Sequence, residues 1–373
     1  MSMIKRSIFF YSLAAVCIAL YLIFTLTEQH EWGGWLLMLF FINLAIAFRS
    51  NKMLKGMAFT LVIFAAVSLA MYHPQYFREW NGYKLSGLII PLIQLIMFGM
   101  GTSMSMKDFA GVVKTPKGVL IGVLSQFIIM PTMGFILASL SNFPSEIAAG
   151  IVLVGCSPSG LASNVMSYLA KANLALSITV TAITTLLAPF ITPVLMKLLA
   201  GALIEIDVTK MMWDIIKMII LPIGAGLVFN KLLSGKADWL DKVMPIVSML
   251  GIAMIITIIT SAGRDSLLTI GPALIGIALI HNLFGYLLGY WSGRLFKMPE
   301  RDCRTIAIEV GMQNAGLASG IAKEMGKIAT VGLAAGVFGP LMNITGSTLA
   351  SWWHNRRPSD ELRESEALVP IEH

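Results

Sequence analysis

Charge is scarce in this 373-residue chain: Asp, Glu, Lys and Arg make up 13% of it, against about a quarter in ordinary soluble domains. With 57% hydrophobic residues and a mean hydropathy of +0.79, that deficit excludes a soluble enzyme and points to a polytopic membrane protein. Cysteine is scarce as well. Cys17, Cys156 and Cys303 lie scattered in or beside apolar runs, so neither a disulfide framework nor a thiolate metal site can be read from them. His30, His73, His354 and His373 fall in loops or tails and form no site with His281. The net charge of +7 raises the question of nucleic acid, but the positive residues sit in short loops, where they report topology and not a partner.

The apolar residues arrive in about twelve stretches of roughly spanning length. These are 7–27, 32–48, 54–73, 85–106, 117–140, 146–170, 174–201, 211–230, 240–262, 270–293, 305–322 and 328–353. The first follows Lys5 and Arg6 but has no clear small-residue cleavage site, so it reads as an anchor and not a signal peptide. The 33 glycines suit close helix packing in lipid. The 24 methionines are span fillers, and Trp32, Trp35 and Trp80 fall where interfacial anchors are expected.

Loop charges alternate. Lys5/Arg6, Arg49/Lys52/Lys55, Lys107/Lys114/Lys117, Lys171, Lys231/Lys236/Lys242, Arg294/Lys297/Arg301/Arg304 and Arg356/Arg357 fall on one side. Opposite lie Glu28/Glu31, Arg78/Glu79, Glu146, Glu205/Asp207, Arg264/Asp265 and the loop with Lys323 and Lys327. The positive-inside rule then places both termini in the cytoplasm, with a bacterial inner membrane as the expected location.

The chain also repeats. Leu54 to Ala202 and Lys210 to Trp353 each hold five spans, and their starts differ by 210 − 54 = 156 residues. An odd number of spans per half inverts the second half. Pro116 to Phe127 faintly echoes Pro272 to Phe284. The fourth span of each half is interrupted at a corresponding place, Gly155-Cys-Ser-Pro-Ser-Gly160 and Gly311-Met-Gln-Asn-Ala-Gly316. Paired interruptions flanked by polar residues are the sequence pointer to a transporter site.

Glu309 is the lone carboxylate well inside a span, where a charge costs about 3 kcal/mol on insertion scales. No basic residue shares its span interior, so its partner is a bound cation or a proton. Ser163 and Asn164 follow the first break, Ser177 and Thr181 stand four apart on one helix face, and Gln126, Gln313 and Asn314 are intramembrane amides. Hydroxyls, amide oxygens and carbonyls freed at an unwound turn suit sodium, a hard cation.

The segments Gly155 to Phe190 and Glu309 to Ser319, with Gln126-Phe127 followed by Met130-Pro131, resemble the bile acid:sodium symporter family. The resemblance covers nearly everything after about Met53. It implies two inverted five-helix repeats with two broken helices crossing near the membrane centre. With two extra N-terminal spans, the expected fold is an all-α membrane protein of about twelve helices. The divisions are 1–52 for the added pair, 53–203 and 204–353 for the repeats, and 354–373 for a cytoplasmic tail. One sodium would sit among Ser163, Asn164, Ser177, Thr181 and Glu309. A second would use Gln126, Glu309, Val310, Met312 and Gln313, with Val310 and Met312 acting through backbone carbonyls. Asn314 would meet substrate. Relatives commonly carry Thr where this chain has Leu161, so substrate choice is expected to differ.

The function expected is import of a small organic anion coupled to sodium, with no cofactor beyond that ion and with lipid as the surroundings. Bile acids, steroid conjugates, pantoate-like acids and 2-oxo acids all fit the resemblance. A proton carrier using Glu309 alone is the competing reading. An intramembrane hydrolase with Ser157 or Ser159 as nucleophile and His281 as base is a remote one: the G-x-S-x-G elbow is incomplete, and Pro158 has no N–H for an oxyanion.

Overall fold

The computed structural model describes residues 3–28, 32–50, 57–104, 115–233, 238–356 and 358 of the chain. They form an all-α protein with one small hairpin. In chain order the helices are α1 (Met3–Leu26), α2 (Gly33–Arg49), α3 (Ala58–Tyr72) and the short α4 (Gln75–Arg78). The two-residue strands β1 (Glu79–Trp80) and β2 (Tyr83–Lys84) pair antiparallel, and a 3₁₀ turn leads into α5 (Ile89–Ser103). Then come α6 (Pro116–Leu140), α7 (Ser145–Cys156), α8 (Ala162–Leu169), α9 (Leu174–Ala200), α10 (Val208–Ile215) and α11 (Leu221–Leu233). The chain ends in α12 (Asp238–Ala262), α13 (Arg264–Leu295), α14 (Glu300–Gly311), α15 (Ala315–Glu324) and α16 (Val331–His354). Among the described residues, seven helices are long and apolar enough to cross a membrane, and Gly33–Arg49, Ala58–Tyr72, Ser145–Cys156 and Ile246–Ala262 are shorter apolar helices.

Local chemistry explains the boundaries. Pro116 opens α6 at the position where a missing N–H costs nothing. The side chains of Asn173, Asp207 and Asn314 cap α9, α10 and α15, accepting from the backbone N–H of Leu176, Lys210 and Leu317. A π turn at Ile216–Ile220 joins α10 to α11, so the apolar run read as one span is a wound-out helix with a local bulge.

Large apolar side chains face outward where a soluble protein would show charge. On α6, Leu120, Leu124 and Ile128 are half or more exposed, while Ser125 and Gln126 are buried. A helix that shows leucine outward and amides inward has lipid, not water, as its solvent.

Side-chain bonds tie the two ends of the bundle. At one, Arg304 is paired with Glu300 at 3.0 Å and donates to the carbonyls of Ala170, Trp353 and Arg356, and the His354 ring nitrogen lies 2.9 Å from the Leu169 carbonyl. At the other, Arg78 donates to the Ser261 carbonyl at 2.8 Å, and Arg264 donates to that of Met71. Lys327 pairs with Glu146, to which Thr330 also donates, so the two loops read as lying on one side meet. Lys52, Lys55, Lys107, Lys114, Lys236, Arg357 and the tail from 359 lie outside the described residues.

Candidate functional site

Two helix interruptions meet at the centre of the site. α7 ends at Cys156, and Ser157 is extended (φ −77°, ψ 153°) because Pro158 has no N–H and disfavours helix before it. α14 ends at Gly311, and Met312 is extended (φ −106°, ψ 102°). The two extended segments pair as an isolated antiparallel bridge, Ser159 against Gln313. Gly160 N donates to Met312 O at 2.9 Å and Asn314 N donates to Pro158 O at 2.8 Å. Backbone groups released from one helix are satisfied by those released from the other, as burial requires. Gly160 lies so close that a Cβ there would sit 2.7 Å from the Gln313 carbonyl oxygen.

Beside the crossing lies Glu309, 0% exposed on α14. Ser163 Oγ and Ser177 Oγ donate to its Oε1 at 2.6 and 2.5 Å, and Thr181 Oγ1 donates to Oε2 at 2.7 Å. Asn164 Oδ1 lies 2.9 Å from Ser177 Oγ and 3.2 Å from Thr181 Oγ1. The first predicted set is therefore brought together in full. Six side-chain oxygens share three hydroxyl protons, and a hydroxyl can donate only one bond at a time. The cluster is rich in acceptors and short of positive charge. Among the described residues Glu309 forms no ion pair, and the Arg304 on its own helix is held by Glu300.

The second predicted set is assembled in part. Gln126, 0% exposed on α6, donates to the Ser157 carbonyl at 2.9 Å and to Gln313 Oε1 at 2.7 Å. Gln313 Nε2 donates to the Val310 carbonyl at 2.6 Å. The Met312 carbonyl accepts from Gly160 N, and the Glu309 carboxylate takes its bonds from the first set, while its backbone carbonyl accepts from Ser159 Oγ at 2.7 Å. Of the predicted substrate contacts, Asn314 uses its Oδ1 to cap α15. Leu161 sits at the N-cap of α8 and provides no side-chain cap, leaving that helix start without one.

Three residues not picked out from the sequence complete the frame. The last carbonyl of each broken half accepts a hydrogen bond from a side chain of an unbroken helix. Thr192 Oγ1 donates to Cys156 O at 2.7 Å, and Asn282 Nδ2 donates to Gly311 O at 2.8 Å, with Thr345 Oγ1 bonded to Asn282 Oδ1 at 2.6 Å. Asn282 was findable, because the 156-residue offset read from the sequence carries Gln126 to 126 + 156 = 282. Thr192 and Thr345 were not, since a lone Thr in a membrane helix ordinarily bonds its own backbone.

The hydrolase constellation does not form. Ser157 Oγ donates to Leu153 O at 2.9 Å, Ser159 Oγ donates to Glu309 O, and the buried His281 lies 3.0 Å from the Met130 carbonyl and edge-on to Phe338.

Comparison with known proteins gives a consistent picture. The profile of the Sodium Bile acid symporter family matches residues 90–270. A Bacillus subtilis (strain 168) protein, "Uncharacterized sodium-dependent transporter YocS", is 37% identical over 302 residues, 81% of this chain and 92% of that one. "Probable sodium/metabolite cotransporter BASS1, chloroplastic" of Arabidopsis thaliana is 31% identical over 266 residues, 71% of this chain and 66% of the relative. Its Oryza sativa subsp. japonica namesake is 30% identical over 312 residues, 82% and 74%.

Proposed function

From the premise that this chain belongs to the Sodium Bile acid symporter family, we propose that it imports a small organic anion together with sodium by alternating access. The single observation that carries the reading is the Glu309 cluster, whose six oxygens share three protons. A buried carboxylate without a basic partner needs a positive charge from elsewhere, and a hard monovalent cation is the species that hydroxyl, amide and carboxylate oxygens suit.

In this reading Ser163, Asn164, Ser177, Thr181 and Glu309 hold one sodium. The second ion would take the carbonyl side of the crossing, with Gln126, Glu309, Val310, Met312 and Gln313. To reach the Val310 oxygen it competes with the Gln313 amide, which occupies that carbonyl at 2.6 Å. Ion binding there would thus turn the Gln313 side chain and loosen its grip on the break. Two sodium ions with Glu309 leave +1, and a monovalent anion brings the loaded site to zero. Net movement of one charge per cycle is worth about 2.3 kcal/mol per 100 mV. The anion would be met by Asn314 and by the positive end of α8, which starts beside the crossing with no side-chain cap at Leu161.

The architecture that goes with this function is two inverted five-span repeats, 53–203 and 204–353, preceded by an added pair in 1–52 and followed by the tail 354–373. Both termini would be cytoplasmic, in a bacterial inner membrane. Support comes from the 156-residue offset and from the way the two breaks satisfy each other. The test is uptake by proteoliposomes at fixed pH across a panel of organic anions, with sodium replaced by choline. Uptake that persists in choline and follows a proton gradient would make Glu309 a proton carrier and overturn sodium coupling.

A further inference from the structure

Among the buried side-chain polar atoms described, few have no hydrogen-bond partner, and two of these flank the Glu309 cluster: Ser167 Oγ and Thr185 Oγ1. Both residues are sealed from the surface, at 0% and 1% exposure. Each stands four residues from a hydroxyl bonded to Glu309, Ser167 after Ser163 on α8 and Thr185 after Thr181 on α9. Side chains four apart share a helix face, about one turn or ~6 Å apart along the axis.

The directions are opposite. α8 runs away from the crossing toward the turn at Lys171, whereas α9 begins at that turn and runs back. Ser167 is therefore one turn from the cluster toward the Lys171 end, and Thr185 is one turn from it toward the other. The layer around Ser167 is oxygen-rich. Asn173 is four before Ser177, and Thr305 is four before Glu309. Thr305 Oγ1 lies 3.1 Å from the Asn173 carbonyl, Ala172 N donates to Ser167 O at 3.0 Å, and Asn173 Nδ2 donates to Asp302 Oδ1 at 2.7 Å. The nearby Arg304 is paired with Glu300.

An unpaired hydroxyl buried away from water is a cost to the fold, and an apolar residue of similar size normally improves stability there. Two such hydroxyls, placed on either side of the Glu309 carboxylate, call for a reason outside stability. We propose that Ser167 and Thr185 are transient cation subsites through which a dehydrated monovalent cation steps into and out of the Glu309 cluster. Thr185 serves the approach from one end. Ser167, one turn nearer the Lys171 end, serves release in that direction. The inference rests on the sodium reading above, and it adds a path to the resting site.

The test uses the full chain in proteoliposomes, with sodium chloride as the probe and choline chloride as the control. Sodium-dependent thermal stabilisation gives the half-saturating sodium concentration, and sodium jumps on a solid-supported membrane give the relaxation rate of the binding current. Ser167→Ala and Thr185→Val each delete only an unpaired hydroxyl. The expected result is a fold as stable as wild type or more so and an unchanged half-saturation, with relaxation slowed about tenfold or more, the loss of one hydroxyl–cation contact from the barrier. Thr185→Ser, which keeps the oxygen, should relax like wild type. Unchanged relaxation in both deletion variants overturns the proposal, as does a slowdown that Thr185→Ser fails to rescue. A wild-type protein with no sodium response overturns the sodium reading itself, and these subsites with it.

Discussion

Replacing Glu309 by Gln separates the cost of a buried charge from its use. The carboxylate accepts three hydroxyl bonds of 2.5 to 2.7 Å. At about 1.5–3 kcal/mol for each bond to a charged group they return roughly 5–9 kcal/mol, against a burial penalty of several kcal/mol for an ion. In the Gln variant Ser163 and Ser177 keep an amide oxygen as acceptor, and Thr181 turns to accept from the amide N–H, so three neutral bonds of about 1 kcal/mol each replace the charged ones. Because the penalty disappears together with the charge, the sodium-free variant should unfold within about 1–2 kcal/mol of wild type. The sodium response should differ completely. A ligand at 100 times its Kd stabilises the wild type by about 2.7 kcal/mol, and the variant should gain nothing. The assay is thermal or denaturant unfolding of purified protein in sodium chloride and in choline chloride at equal ionic strength. A Glu309→Gln protein that still gains stability from sodium, or still drives sodium-dependent uptake, would refute the assignment of the cation to this cluster.

Gly160→Ala should separate the two breaks, since its Cβ would stand 2.7 Å from the Gln313 carbonyl; lost sodium-dependent stabilisation in a protein that still folds is expected, and a wild-type response would show that the crossing yields freely. Gln126→Ala leaves the Ser157 carbonyl and Gln313 Oε1 without their donor, so a loss of about 2–4 kcal/mol is expected in unfolding assays, together with a raised half-saturating sodium concentration. Asn282→Ala strips the donor from Gly311 O and should cost about 1–3 kcal/mol, whereas Thr345→Ser should be near neutral by the same measurement. Leu161→Thr restores a hydroxyl at the N-cap of α8, and the ranking of anions in uptake competition should change; an unchanged ranking would remove that position from the substrate path.

Hydropathy and charge along the chain were enough to mark the apolar helices, seven of which among the described residues are long enough to cross a membrane, to locate both interruptions, and to isolate Glu309 as a carboxylate without a local base. These are properties of each stretch against lipid, and lipid imposes them whatever the neighbours are. The 156-residue offset was likewise read from the sequence, and applied to Gln126 it points to Asn282. Tertiary structure alone decided where the released backbone bonds went. Gly160 N finds Met312 O, Asn314 N finds Pro158 O, and Thr192 closes the end of a helix far from it in sequence. It also decided that the Glu309 side chain serves the hydroxyl cluster while Gln126 and Gln313 bond each other, that Ile216–Ile220 winds out into a π turn, and that Ser167 and Thr185 have no partner. The physical reason is that hydrogen-bond satisfaction in a dry interior is settled between segments. Residue type says which groups must be satisfied, and only packing says by whom.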